Sequence, residues 1–266
     1  MRAIASAPDP YAFNDNDYVA GNRATGAYQL VSPRLVPGEK TGVFFMLGQS
    51  NSPDANTVDV QYAPTHGAKV QMLNIYDGGI YVRKDPMLGS NALGGSWGGR
   101  LADKLITAGK YDRIITVPLG FGGSALSTWM PGQVGVHARL VAACLRAKAL
   151  GLTPTAFFWH QGETDNAFGT TQAAYETGLH KVIASVRAVG LDAPWLISLA
   201  TYIGGATSNP IRFAQTAMVN GVDIFQGPDT DQFAGSGYRQ ADDTHFNAAG
   251  AEAAANVSTA IIMSVL

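Results

Sequence analysis

Cysteine is nearly absent: Cys144 is the only one in 266 residues, so no internal disulfide is available. It falls among apolar residues with helical spacing and reads as a buried, inert thiol. Charge is sparse as well. Charged side chains make up 14%, with 18 basic against 20 acidic, and no Lys/Arg cluster stands out. Nucleic acid and anionic membranes therefore find no electrostatic footing. No apolar run reaches the ~18 residues that a membrane span needs. The start, Met1-Arg2-Ala3-Ile4-Ala5, runs on into Pro8, Asp9 and Pro10, which is not the pattern of a signal peptide. A secreted protein shorn of its leader would look the same, so the compartment stays open, as does the oligomeric state.

What is present is a hydrophobic fraction of 46%, enough for a core that needs no disulfide or metal staple. The first forty residues are rich in Asn, Asp, Pro and Gly without periodicity, and read as an irregular arm over 1–40. From 41 to 266 the pattern is that of one α/β domain. Val43-Phe44-Phe45-Met46-Leu47 is a short continuous apolar run, as in a strand covered on both faces. Similar runs at 113–119, 155–159, 195–201 and 222–226 bring the expected count to five parallel strands.

Helical spacing fills the intervals: Leu101 and Leu105; Val136, Leu140 and Cys144; Tyr175, Leu179, Val182, Val186 and Val189; Ile211, Ala214 and Met218. A last helix begins at Asn247 as N-cap, with Ala254, Val257, Ile261 and Val265 expected inward. Right-handed crossovers then give a three-layer α/β/α fold with a five-stranded parallel sheet. The stretch 70–84, centred on Asp77-Gly78-Gly79, reads as a β-hairpin insert.

Loops beyond the carboxyl ends of such strands gather function, and four polar clusters fall there. Gly48-Gln49-Ser50-Asn51 follows the first strand. Ser50 serves equally well as a turn cap or as an exposed nucleophile, and Ser52 stands where a Gly-x-Ser-x-Gly elbow has its last glycine. Asp242-Asp243-Thr244-His245 precedes the last helix. There an i, i+3 carboxylate reaches the imidazole and fixes its tautomer, although a lone pair of this kind is also a common surface feature.

Gly120-Phe121-Gly122-Gly123-Ser124 allows a backbone N–H to approach a substrate oxygen closely. A plain flexible turn fits as well. Trp159-His160-Gln161-Gly162-Glu163-Thr164-Asp165 is the densest polar stretch. His160 and Glu163 lack a third metal ligand at a convincing spacing, so no metal or other cofactor is expected.

Together these blocks resemble the SGNH hydrolases, in order and in strand position. They are most similar to the branch of sialate O-acetylesterases and acetylxylan esterases (carbohydrate esterase family 6), over residues 41–250. The resemblance implies a flavodoxin-like SGNH fold and removal of short acyl groups from carbohydrate esters. Ser50 matches the nucleophile, and Asp242 and His245 the acid and base. The oxyanion hole is implied at Ser50, Gly122 (with Gly123 as fallback) and Gln161, which replaces the usual asparagine. Gln49, Asn51, Glu163 and Trp129 are candidates for substrate contact, with Trp97 and Tyr202 as further aromatic candidates. Two other readings stay open: a carbohydrate-binding or phage-tail-type module with a silent site, and an esterase for non-sugar esters.

Overall fold

The computed structural model describes residues 28–32 and 35–266. The arm expected over 1–40 lies outside them except for 28–32 and 35–40.

The strands are β1 (Leu30–Val31), β2 (Thr41–Gly48), β3 (Val70–Leu73), β4 (Ile80–Val82), β5 (Arg113–Gly120), β6 (Ala156–His160), β7 (Trp195–Leu199) and β8 (Ile224–Asp229). The helices are α1 (Gly98–Thr107), α2 (Leu126–Trp129), α3 (Val136–Ala149), α4 (Glu163–Phe168), α5 (Gln172–Ala188), α6 (Asn209–Ala217) and α7 (Ala248–Val265). Among the described residues one sheet holds every strand, in the order β1-β4-β3-β5-β2-β6-β7-β8.

The count of five parallel strands is corrected here. The sheet is eight-stranded and mixed. Strand β3 pairs parallel with β5 at Val70↔Ile114, and antiparallel with β4 at Leu73↔Ile80. The 70–84 hairpin therefore extends the main sheet. The hairpin itself forms as expected, around a turn in which the Asp77 carboxylate accepts a hydrogen bond from Gly79 N–H at 2.7 Å.

Alternation across the sheet sorts the core into two layers. Val43, Phe45 and Leu47 face α2, α3, α5 and α6, whereas Phe44 and Met46 face α1 and α7. Side chains of successive strand residues point to opposite faces, so an unbroken apolar run suits a strand covered on both sides. Cys144 is buried in the first layer, where desolvation pushes its thiol up to about 12.

The caps form as their residue types dictate. Thr171 accepts from Ala174 N–H at 3.3 Å to start α5, and Asn247 accepts from Gly250 N–H at 3.0 Å to start α7.

The inward face of α7 differs from expectation. Gly250, Ala251, Ala254, Ala255, Ser258 and Ile262 are buried, while Val257, Ile261 and Val265 pack at the margin. Small side chains let the helix sit close against α1 and the sheet. Helix α7 is also apolar enough across its 18 residues, with mean hydropathy 1.2, to meet the length and composition of a membrane span. Its one-sided burial is that of a helix covering a sheet.

Among the five strands read from sequence, the spatial order β5-β2-β6-β7-β8 is second, first, third, fourth, fifth. That is the flavodoxin-like doubly wound order, with its switch point between the first and third. Strands β2 and β6 end there together, with Gly48 opposite His160.

Candidate active site

Strand β2 ends at Gly48 because β6 crowds it. A Cβ at Gly48, whose φ is +138°, would lie 1.9 Å from the His160 carbonyl oxygen. Gln49 N–H instead donates to that oxygen at 3.1 Å. The chain then turns and presents Ser50, 7% exposed, at the switch point.

Ser50 and His245 line one cleft of about 320 Å³, together with Gly122, Gly123, Gln49 and Asn91. Thr57, Thr164, Ile203 and Thr244 complete its walls. Among the described residues no hydrogen bond joins the Ser50 hydroxyl to the His245 ring. In unliganded hydrolases such contacts are commonly long and tighten on binding.

His245 is held from its own turn. Its Nδ1 lies 2.5 Å from Asp242 Oδ2, while Asp242 Oδ1 accepts from the N–H groups of His245 and Thr244 at 3.0 Å each. Asp243 makes this possible by adopting a left-handed conformation at φ 48°. Partial desolvation pushes the Asp242 carboxyl up, but the hydrogen bonds from His245 and Thr244 outweigh it and hold the group below its usual range. The pair directs Nε2 of the ring away from the carboxylate, which is the requirement for a base.

Gly122 faces the serine: a Cβ on it would lie 3.8 Å from Ser50 Cβ. Its N–H donates at 2.8 Å to Asn91 Oδ1, a residue the sequence reading passed over. Asn91 belongs to the irregular stretch between β4 and α1, which carries no motif. Among the described residues, the N–H groups of Ser50 and Gly123 donate to no protein acceptor.

Several predicted residues do not reach the cleft. Gln161 is 0% exposed and fully committed. Its amide donates to Asp165 at 2.5 Å, Ser124 O at 3.1 Å and Gln49 Oε1 at 3.2 Å, and its carbonyl accepts from Tyr175 at 2.8 Å. A side chain so bound has no donor left for an oxyanion. Trp129 is a core residue: its indole packs edge-on to Trp159 at 5.3 Å and donates to Ser124 Oγ at 2.9 Å. Trp97 is likewise buried, donating to Asn51 O at 2.9 Å, and the Tyr202 hydroxyl is held by Asp243 at 2.8 Å.

Asn51 and Glu163 are each 2% exposed and bind one another, Nδ2 to Oε1, at 3.1 Å. Burial raises the Glu163 carboxyl to about 8, and its Oε2 has no hydrogen-bond partner. Behind them His160 is pushed down to about 3 by desolvation and by the nearby Arg239 charge, and its Nε2 meets Thr230 Oγ1 at 2.8 Å. Of the four residues suggested for substrate contact, only Gln49 lines the cleft. Its Oε1 accepts from Gln161 and from Thr164 N–H at 3.1 Å, leaving its amide N–H groups without a protein acceptor among the described residues.

Among the described residues, no group of three or more His, Cys, Asp or Glu side chains gathers in a metal-holding arrangement.

The fold is shared with solved structures, one of them a carbohydrate acetylesterase. A protein from Arabidopsis thaliana superposes with a TM-score of 0.64 at 17% identity, covering 86% of this chain and 100% of that one. NanS superposes at 0.55 and 15% identity, with 86% and 98% covered. A carbohydrate acetylesterase from Xanthomonas citri superposes at 0.53 and 16% identity, with 85% and 56% covered. At these identities the likeness is one of fold. No curated protein sequence matches the chain.

The family is nonetheless settled by sequence: residues 40–260 match the model of the carbohydrate esterase, sialic acid-specific acetylesterase family, and the chain belongs to it. It is a carboxylic ester hydrolase.

Proposed function

We propose that the protein removes acetyl groups from carbohydrate esters by a Ser50–His245–Asp242 relay through an acyl-enzyme. The observation that carries this reading is one cleft shared by Ser50 and a His245 whose Nδ1 is fixed at 2.5 Å by Asp242. His245 Nε2 takes the serine proton as the oxygen attacks the ester carbonyl. Collapse of the tetrahedral intermediate returns that proton to the leaving sugar hydroxyl. Water, deprotonated by the same nitrogen, then frees acetate and restores the serine.

The oxyanion is received by N–H groups of Ser50 and Gly122, with Gly123 beside them. Gln161, buried and fully bonded, serves this mechanism by bracing the first turn of α4 through Asp165. Small walls at Ala92, Gly122 and Gly123 suit a short acyl chain. The test is hydrolysis of p-nitrophenyl acetate against the octanoate, followed by acetate release from acetylated xylan, acetylated simple sugars and O-acetylated sialic acid. Unchanged acetate turnover in Ser50→Ala, or a preference for octanoate, overturns the proposal.

A further inference from the structure

The nucleophile and base segments lie nearly two hundred residues apart, and two amide side chains sew them together. Asn51, directly after the serine, grips both peptides that flank His245. Its Nδ2 donates to Thr244 O at 3.0 Å, and its Oδ1 accepts from Phe246 N–H at 3.0 Å. Gln240 works from the other side. Its Nε2 donates to Thr57 O at 2.8 Å and to Phe246 O at 2.7 Å, while its own N–H donates to His245 O at 2.8 Å. Thr57 closes the circuit, because its hydroxyl donates to Ser50 O. The Asn51 amide is itself steadied by Glu163 at 3.1 Å, and Arg239 adds a bond to Thr244 O at 2.7 Å.

The geometry points to Asn51 and Gln240 as paired positioning residues that set His245 against Ser50, an inference that rests on the triad reading proposed above. Neither side chain is needed to form the Asp242–His245 pair, which is complete within one turn. What they fix is where that turn sits. Every backbone group from Thr244 O to Phe246 O that they bind lies within one residue of the base, and both tie it to the segment bearing the nucleophile, Asn51 from within that segment and Gln240 through Thr57 O. A displacement of about 1 Å between reacting groups is enough to lower a rate by roughly 10²-fold. A hydrogen bond lost at this junction is therefore read in turnover.

Kinetics, melting and imidazole NMR on the full chain test this. For Asn51→Ala we expect kcat with p-nitrophenyl acetate to fall by roughly 10²-fold with KM within about twofold. Fluorophosphonate labelling of Ser50 should slow in parallel. The NMR signal of the Asp242-bonded Nδ1 proton of His245 should persist as in the parent, because that bond survives. Asn51→Asp keeps the acceptor for Phe246 N–H and should fall between the two. Gln240→Ala should lose about tenfold, and the double variant less than the product of the singles, as for residues sharing one task. If Asn51→Ala does not fold, Gln240→Ala carries the same measurements.

Parent-like kcat in the folded variants, or a loss of kcat that comes with loss of the His245–Asp242 imidazole signal, overturns the inference. Activity in Ser50→Ala overturns the triad reading beneath it. An inactive Ser50→Ala beside a fully active Asn51→Ala refutes the positioning role alone.

Discussion

Asp242 holds the turn at His245 through three contacts that do two separate things. The Oδ2–Nδ1 contact at 2.5 Å fixes the tautomer, whereas the two Oδ1 contacts shape the turn. Asp242→Asn keeps an oxygen for the turn but loses the charge that stabilises an imidazolium. Its kcat should drop by up to about 10⁴-fold with little change in KM. Asn91 invites a different test, because its Oδ1 occupies the Gly122 N–H that the proposed mechanism assigns to the oxyanion. A carboxylate at that position would bind the N–H more firmly and repel the developing charge. Asn91→Asp is expected to lower kcat for p-nitrophenyl acetate by roughly 10²–10³, the scale of one lost oxyanion donor. Asn91→Ala should cost far less; equal losses in the two would remove the oxyanion argument.

The residues that were legible in sequence are those whose role is local. An Asp three positions before a His reveals itself because both partners lie in one turn. Asn51, Glu163 and Gln161 sit in the same motifs, yet their side chains turn inward to bonds that include partners 37 to 195 residues away. No spacing in the chain records those partners.

At the scale of elements, the apolar runs at 43–47 and 113–119 announced β2 and β5 because strands covered on both faces need no polar alternation. The hairpin at 70–84 showed β3 and β4, but not that β3 also pairs parallel with β5, since a four-residue strand beside a turn carries no sign of a second neighbour. The stretch from Asn51 to Ser96 was opaque for a further reason: it is organised by buried polar contacts. The Arg83 guanidinium grips Asp54 at 2.7 Å and also donates to Thr116 and Ser96.

The inward stripe of α7 was misplaced because a search for large apolar residues passes over a face made of Ala, Gly and Ser. Two substitutions test these elements. Gly48→Ala forces a Cβ to within 1.9 Å of His160 O, so β2 and β6 must part at the site, and activity should be lost together with several degrees of melting temperature. Asn247→Ala removes the cap on α7 and should cost about 1 kcal/mol of stability. Because that helix follows His245 directly, urea denaturation alongside kinetics shows whether the base is disturbed as well.

For the whole molecule, the buried groups behind the cleft set how stability responds to pH. Glu163 keeps its proton in the folded protein up to about pH 8, whereas an unperturbed glutamate releases it near 4.5. Between those values the unfolded chain binds fewer protons than the folded one, so stability falls as pH rises through that window. His160 acts at the other end. Buried and neutral down to about 3, against 6.5 for a free imidazole, it makes stability fall as pH drops below 6.5. Asp242, held below its usual range, loses its contribution at still lower pH.

The two buried groups thus bracket an optimum in the mildly acidic range. Glu163→Gln isolates one side of it, since a glutamine preserves an oxygen for Asn51 and removes the ionisation. The melting temperature of the variant, relative to the parent, should climb steadily from about pH 4.5 to about pH 8 and then level off. The charge of Arg239 already lowers the Glu163 value and the charge of Asp231 raises it, so salt should alter the slope only weakly in so buried a setting. A difference between variant and parent that stays flat across that window would mean that Glu163 ionises normally. The buried junction between the two catalytic segments would then be more open to water than its packing implies.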